Sequence, residues 1–123
     1  MINVQNDALV PYSSPASSLG GWAVNYKFKN CNIVPSTIAG LIFLDGVLIQ
    51  TFTTNQYGEC TFNLITQLTN WVKYGTFNPT TGFLSATWAD KPIPAYSYVI
   101  NTNYGYNVDR ANPAYFPFHE DGN

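Results

Sequence analysis

A two-residue Asp45-Gly46 step between two apolar runs constrains this chain more than any other feature of its sequence. The runs cover residues 41–44 and 47–49. Aspartate and glycine accept the positive φ angles of a type I′ turn, which joins two antiparallel strands by the shortest common loop. The pattern therefore predicts a β-hairpin centred on this step.

The turn also predicts the register of the hairpin. Pairing across a two-residue loop sets Leu44 opposite Val47 and Ile42 opposite Ile49. Because side chains alternate between the two faces of a strand, Gln50 is expected on the other face. One face of the hairpin is then aliphatic and is expected to cover a core.

A third strand is expected after the Thr-rich segment that follows the hairpin. Cys60, Phe62 and Leu64 alternate there with Thr61 and Asn63, which is the period of a half-buried strand. This part of the chain is therefore predicted to form a three-stranded β-meander.

The meander is similar to bacterial immunoglobulin-like repeats of the invasin and adhesin type. The resemblance lies in a glycine, alternating apolar residues, Asp-Gly, an apolar strand and a Gly-x-Cys-Thr-Phe-x-Leu motif within residues 40–64 of the 123. It implies a binding or structural module without catalytic residues, of a kind found in bacterial surface adhesins and on tailed-phage virions. The matching positions are Gly40, Ile42, Leu44, Asp45, Gly46, Ile49, Thr51, Gly58, Cys60, Thr61, Phe62 and Leu64.

Alternation on both sides of the meander predicts a single domain over residues 21–103. A proline- and glycine-containing turn is expected within 77–83, whereas residues 66–74 fit either a short helical turn or a strand. An immunoglobulin-like sandwich takes roughly 100 residues. The predicted fold class is therefore an all-β, immunoglobulin-like two-sheet β-sandwich with extended N- and C-terminal arms. The strands expected outside the meander are 21–30, 71–77, 83–89 and 96–103.

The two ends of the sequence lack this alternation. Residues 1–20 contain Pro11, Pro15 and four serines, and they are predicted to form an extended N-terminal arm. Residues 104–123 form an aromatic C-terminal tail, whose composition differs from that of disordered segments. The tail is expected to pack either on its own domain or on a partner. The residues expected to bind a partner are Leu9, Val10, Pro11, Tyr12, Tyr115, Phe116, Pro117 and Phe118.

Reactive side chains form no recognisable catalytic pattern, so an enzyme is not expected. The single histidine, His119, stands beside Glu120 and Asp121 near the C-terminus, where a solvated polar segment is favoured over a metal site. No cofactor is expected. Cys60 is expected to be a buried free thiol, and a bridge between Cys31 and Cys60 stays open.

Low charge is the main compositional constraint on the partners of this chain. Charged residues make up 10% of it and the net charge is −2. The five basic residues are too few and too dispersed to neutralise a run of phosphates, so nucleic-acid binding is not expected. A surface with so little charge has weak colloidal protection as a free monomer, which favours burial in an assembly.

No stretch of the sequence approaches the roughly 20 apolar residues of a membrane helix. The first residues also lack the pattern of a signal peptide. Membrane association is therefore not expected. The protein is expected either to assemble in the host cytoplasm or to be exported by a route that the sequence does not reveal.

Two functional hypotheses follow. The first is a bacteriophage virion structural or accessory protein, of the capsid-decoration or head-fibre type. It would attach to capsid or other virion proteins through its terminal arms and form a homo-oligomer. The alternative is a carbohydrate-binding or adhesion module of an extracellular cell-surface or phage tail protein. Its exposed tryptophan and tyrosine rings would stack on a surface glycan, so the exposure and grouping of the rings separate the two hypotheses.

Overall fold

A computed structural model describes residues 1–66, 70–92 and 97–108. These residues form ten β-strands. Among the described residues there is no helix that could cross a membrane. The strands are β1 (Ile2–Ala8), β2 (Val10–Pro11), β3 (Ala16–Ser18), β4 (Gly21–Lys27), β5 (Ala39–Leu44), β6 (Val47–Thr54), β7 (Cys60–Leu64), β8 (Val72–Asn78), β9 (Phe83–Trp88) and β10 (Tyr98–Tyr106).

The strands are arranged in two antiparallel sheets. Sheet A has the order β1-β10-β5-β6-β7, and sheet B has the order β2-β4-β9-β8. β3 also pairs with β4 and follows β2 along the same edge. The two sheets pack as a sandwich. The predicted all-β two-sheet fold is confirmed, and its architecture is consistent with an immunoglobulin-like sandwich.

The core lies between the sheets and is built from the inward side chains of both. Alternation places these side chains on one face of each strand. Aromatic and aliphatic residues interdigitate there, with ring pairs such as Phe28–Phe77 at 5.1 Å between centroids. The apolar side chains of the core with at most 1% exposure are Val24, Tyr26, Phe28, Ile42, Ile49, Phe52, Val72, Leu84, Ala86, Trp88 and Ile100.

The predicted hairpin turn is confirmed. Asp45 and Gly46 have φ angles of 49° and 80°, as a type I′ turn requires. Leu44 pairs with Val47 as predicted. This hairpin joins β5 to β6 in the middle of sheet A.

The predicted register fails beyond the first pairs of the hairpin. Phe43 pairs with Leu48, but Ile42 then pairs with Gln50 rather than with Ile49. Ile49 is therefore the extra residue of a β-bulge. The bulge turns Ile49 and Gln50 to the same side, and both are fully buried. The prediction that Gln50 lies on the face away from the core is wrong for this reason.

Gln50 links the two sheets across the core. Its Nε2 donates a hydrogen bond of 2.8 Å to the carbonyl of Val72 at the start of β8. The Val72 N–H in turn donates one of 2.7 Å to Gln50 Oε1. A buried amide without partners is costly, but here the side-chain amide and the Val72 peptide groups satisfy each other.

Strand pairing places several connections at one end of the sandwich, called here the hairpin end. Tyr98 pairs with Leu44 beside the Asp45-Gly46 turn, and its ring lies 4.3 Å from that of Trp88. Trp88 pairs with Trp22. The β3–β4 turn at residues 19–20 therefore lies at the hairpin end.

The opposite end is called here the turn end, because the β8–β9 turn lies there. That turn is confirmed where it was predicted, with Gly82 at a φ of 76° and its N–H donating to the Asn78 carbonyl at 2.8 Å. Ile33 joins the same end, since it forms a bridge with Tyr106. Its N–H also donates to the Pro79 carbonyl at 2.9 Å.

Residues 1–20 differ from the predicted arm, because they contribute strands to both sheets. β1 pairs with β10, whereas β2 and β3 pair with β4. Leu9 lies between them in the core and donates its N–H to the Ile100 carbonyl at 2.8 Å. The sequence did not predict β1, because most of its side chains are polar. An edge strand with a bulge also lacks the regular alternation by which strands are predicted.

The C-terminal boundary also differs, since β10 continues through Tyr104 to Tyr106. Tyr104 is buried, and its Oη lies 2.5 Å from Asp7 Oδ2. The open choice in residues 66–74 resolves as strand from Val72 onward. Residues 67–69, 93–96 and 109–123 lie outside the described residues, so the predictions made for them are not addressed.

Replacing Gln50 tests the link between the sheets. In Gln50→Leu, the buried Val72 N–H and carbonyl lose their partners. The free energy of unfolding in urea should therefore fall by about 2–4 kcal/mol. Gln56→Leu, at an exposed turn position, is the matched control and should change stability by less than about 0.5 kcal/mol. Equal effects of the two variants would show that the bonds to Val72 contribute nothing specific.

Candidate interaction surfaces

Few ionisable side chains lie close together in the part of the chain that the structure describes. No group of three or more His, Cys, Asp or Glu side chains that could hold a metal ion occurs in this part of the chain. Asp7 Oδ2 accepts hydrogen bonds from the Lys29 N–H at 2.9 Å and from the Tyr104 hydroxyl. His119 and its acidic neighbours lie outside the described residues. The remaining candidates for a functional site are surfaces that could bind another macromolecule.

The N-terminal residues predicted to bind a partner are mostly engaged within the domain. Leu9 is buried in the core, and Pro11 is half-buried where it pairs with Tyr26. Val10 is 53% exposed and is the one clearly accessible member of the N-terminal group. The other predicted residues, Tyr115, Phe116, Pro117 and Phe118, lie outside the described part of the chain.

Tyr12, the remaining N-terminal candidate, packs on the outer side of sheet B. Its ring meets that of Phe83 edge-on at 5.1 Å between centroids. Lys27 Nζ lies 5.7 Å from the centroid of the same ring, a distance at which a cation attracts the ring face. Tyr12 therefore helps to cover Lys27, which is 7% exposed.

The outward positions of β10, β5, β6 and β7 form a surface called here the sheet A outer face. An apolar row crosses it, because Val99 pairs with Phe43 and Phe43 pairs with Leu48. Val99 is 40% exposed, and Leu41 on the neighbouring row is exposed to a similar extent. None of its residues is charged. They are Ala39, Leu41, Phe43, Leu48, Thr51, Thr53, Thr61, Asn63, Val99, Asn101, Asn103 and Gly105.

The edges of the sandwich are poorly suited to pairing with another strand. β1 is interrupted by a bulge at which Asn6 has a φ of 56°, and the β2–β3 edge carries Pro11 and Pro15. Bulges and prolines are common devices that block edge-to-edge pairing. On the other side β7 closes against β8, where a Cβ on Gly75 would lie only 3.0 Å from the Phe62 ring. Faces and ends are therefore better candidates than edges.

The β3–β4 turn at the hairpin end presents an isolated apolar side chain. Leu19 is 94% exposed, yet its backbone is held in place. Tyr74 Oη donates a 2.7 Å hydrogen bond to the Leu19 carbonyl, and Lys73 Nζ donates one of 2.9 Å to the Gly20 carbonyl. These hydrogen bonds therefore hold the turn that carries the exposed leucine against β8.

The turn end contains a shallow, open depression of about 540 Å³. Its floor includes Ile33, which is buried, and its walls come from the segment after β4, the β8–β9 turn and the chain that follows β10. No lining residue is charged. The lining residues are Asn32, Ile33, Val34, Pro35, Pro79, Thr80, Asn107 and Val108.

Exposed aromatic rings do not gather in one place in the described structure. Tyr57 and Tyr74 are the exposed aromatic side chains of this part of the chain. Tyr57 precedes β7 at the turn end, whereas Tyr74 lies on β8 near the hairpin end. Trp22 is half-buried, with Lys91 Nζ 5.2 Å from its ring centroid. A stack of neighbouring rings for a sugar is therefore not formed by the two exposed tyrosines.

Sequence reasoning missed both the sheet A outer face and the Leu19 turn. Apolar residues at both odd and even positions of the hairpin were an available signal for the outer face, because a solvated face is normally polar. No local signal marked Leu19, since its exposure depends on hydrogen bonds from Lys73 and Tyr74, distant in sequence.

No family model, curated protein or solved structure matches this chain. The sandwich fold is therefore assigned from the strand pairing of this chain and not from a relative. The similarity of residues 40–64 to immunoglobulin-like repeats stays a prediction.

Cys31 and Cys60 are both free thiols in this structure, so they do not form the disulfide bridge that the sequence left open. Cys31 and Cys60 are each half-buried rather than fully buried. Burial raises the pKa of the Cys60 thiol to about 11, above its ordinary value of 9.0. The neutral thiol is therefore favoured in the folded protein.

This shift predicts the alkaline behaviour of Cys60. In a Cys31→Ala background, the rate of alkylation of Cys60 by iodoacetamide should keep rising by about tenfold per pH unit beyond pH 9, because the thiolate is the nucleophile.

The free energy of unfolding should fall as pH rises from 9 toward 11, since the Cys60 thiol loses its proton at lower pH in the unfolded chain than in the folded protein. Cys60→Ala should remove that part of the pH dependence. A rate that levels off near pH 9 would contradict the shift.

Proposed function

We propose that this chain is a non-enzymatic structural or accessory protein of a bacteriophage virion, of the capsid-decoration or head-fibre type. The observation that supports this most is the sheet A outer face, which combines an apolar row with a complete lack of charge. The cores of protein interfaces are depleted in charged residues. A surface of this kind suits a lasting contact with a capsid or other virion protein.

The rest of the molecule fits a passive structural role. The two sheets are linked through Gln50 and Val72, and the edges are blocked by a bulge, by prolines or by each other. Such a body presents its faces without offering strands for aggregation. The low overall charge, 10% of residues, also favours a protein that is covered within an assembly.

The proposed attachment differs from the one expected from the sequence. Residues 1–20 are occupied within the sheets, so the sheet A outer face takes the place of an N-terminal arm. Residues 115–118 remain a proposed second contact. The proposed partners are capsid or other virion proteins and further copies of this chain, and the proposed location is the virion, assembled in the host cytoplasm.

The alternative, a carbohydrate-binding or adhesion module, has weaker support. Sugar recognition by stacking needs rings that face one binding groove, but the exposed Tyr57 and Tyr74 lie toward opposite ends of the sandwich. Binding of the purified chain to a glycan array would favour this alternative.

The direct test is the composition of virions purified by density gradient from cells that express this chain. Mass spectrometry should find the chain in the particles at a fixed ratio to the major capsid protein. Its absence from the particles, with the chain recovered free, would contradict the proposed function.

Two matched valine variants test the attachment surface. Val99→Lys places a charge on the sheet A outer face and should reduce incorporation into virions by at least about tenfold, because a lysine must be desolvated in the contact. Val10→Lys places the same charge at an exposed site on the sheet B edge and should be incorporated normally. Circular dichroism should show that both variants fold. Loss of Val10→Lys alone would instead favour attachment through the N-terminal residues.

A further inference from the structure

We infer that the sheet A outer face binds the same face of a second copy, so that two copies pair about a two-fold axis along β5. The inference rests on the proposed function, because it names a further copy of this chain as the partner of the surface proposed there for attachment. The second contact proposed for residues 115–118 is then the one that joins each copy to the capsid.

The centre of the sheet A outer face is apolar and its flanks are polar. The outward side chains of β5, the central strand of sheet A, are Ala39, Leu41 and Phe43. Leu41 is 41% exposed and Ala39 is also exposed, whereas Phe43 is half-buried. Asn101 and Thr51 pair with Leu41 from the two neighbouring strands. An apolar centre within a polar rim is the usual anatomy of a protein interface.

The position of β5 makes this face self-complementary. Sheet A has the order β1-β10-β5-β6-β7, so two strands lie on each side of β5. A two-fold axis along β5, in the plane between the copies, places β10 of one copy over β6 of the other and β1 over β7. Val99 then faces Leu48 of the second copy, because both pair with Phe43. Asn101 faces Thr51 in the same way, and an amide and a hydroxyl can form a hydrogen bond.

The lack of charge on this face permits it to pair with itself. A two-fold contact brings the same patch of both copies together, so a charge near the axis would face a like charge at short range. The sheet A outer face has no charged side chain, and Asn3 and Ala8 extend it across β1 without adding one. Two copies with a net charge of −2 each therefore meet here without burying like charges.

The area of the face is sufficient for a pair of copies. The five strands of sheet A contain five to nine residues each, and at about 3.4 Å per residue and about 4.8 Å between strands they cover about 550 Å² in projection. Two copies would together bury about 1,100 Å², which exceeds the roughly 1,000 Å² expected of a biological interface. This value is at the low end for specific interfaces, so the pair is expected to dissociate on dilution.

The test measures the mass of the purified full-length chain by light scattering and sedimentation over a range of concentrations. The wild-type mass should rise from the 13.7 kDa of one copy to twice that value and no further. Val99→Lys places a charge in the contact on both copies and should weaken pairing by at least about tenfold. Val10→Lys, at a 53% exposed position on the sheet B edge, is the matched control and should pair like the wild type.

Mixing two defective variants tests the proposed axis. Val99→Lys and Leu48→Glu each place a charge against an apolar side chain of the second copy, so each alone should stay monomeric. An equimolar mixture should form pairs, because the introduced lysine of one copy faces the introduced glutamate of the other. Asn101→Lys with Thr51→Glu is a second such combination if circular dichroism shows that Leu48→Glu fails to fold.

Three results would overturn the inference. They are a wild-type chain that is monomeric at all concentrations, a wild-type mass that grows beyond two copies, and a mixture of the folded charge variants that stays monomeric.

The outcome separates this inference from the proposed function. If virions contain the chain but the purified wild type is monomeric, the face-to-face pair is wrong and the structural role stands, with a capsid protein covering the face. If the variants behave as expected but virions lack the chain, the pair stands and the virion role is wrong.

Discussion

The hydrogen-bonded pairing of Gln50 with Val72 is the interaction on which the sandwich most depends. Hydrophobic contact between two sheets is not directional, so it does not by itself fix how one sheet lies on the other. Two bonds of 2.7 and 2.8 Å between a buried side-chain amide and a buried peptide supply that direction. The bulge at Ile49 makes them accessible, because without it Gln50 would face solvent.

The sequence predicted those parts of the fold that follow from short-range rules. The Asp45-Gly46 turn, the turn before Gly82 and the strand within residues 83–89 follow from local backbone preferences and strict alternation. The bulge at Ile49 breaks alternation, so a period-two pattern assigned Gln50 to the wrong face. β1 was missed because its pairing partners on β10 lie about 100 residues away in sequence, as with Ile2 and Tyr106. β2 and β3 pair with the nearby β4, but strands of two and three residues are too short to show a period-two pattern.

The candidate surfaces, like the fold, could be predicted from the sequence only in part. Composition indicated a protein with little charge, but only the strand pairing shows that the outward positions of β10, β5, β6 and β7 are all uncharged. The Leu19 turn depends on side chains of β8 that no local pattern links to it. The uncharged outer face of β10, β5, β6 and β7 is the feature that supports the proposed role in an assembly.

Amide hydrogen exchange at Val72, measured by NMR as a function of urea, tests the central claim that the two sheets form one rigid unit. If the Gln50 bonds hold β8 to sheet A, the Val72 N–H should exchange only through global unfolding. It should then match the slowest amides of the core, such as that of Ile42, in both free energy and urea dependence. Exchange of Val72 by a local opening with little urea dependence, while Ile42 stays protected, would contradict the account.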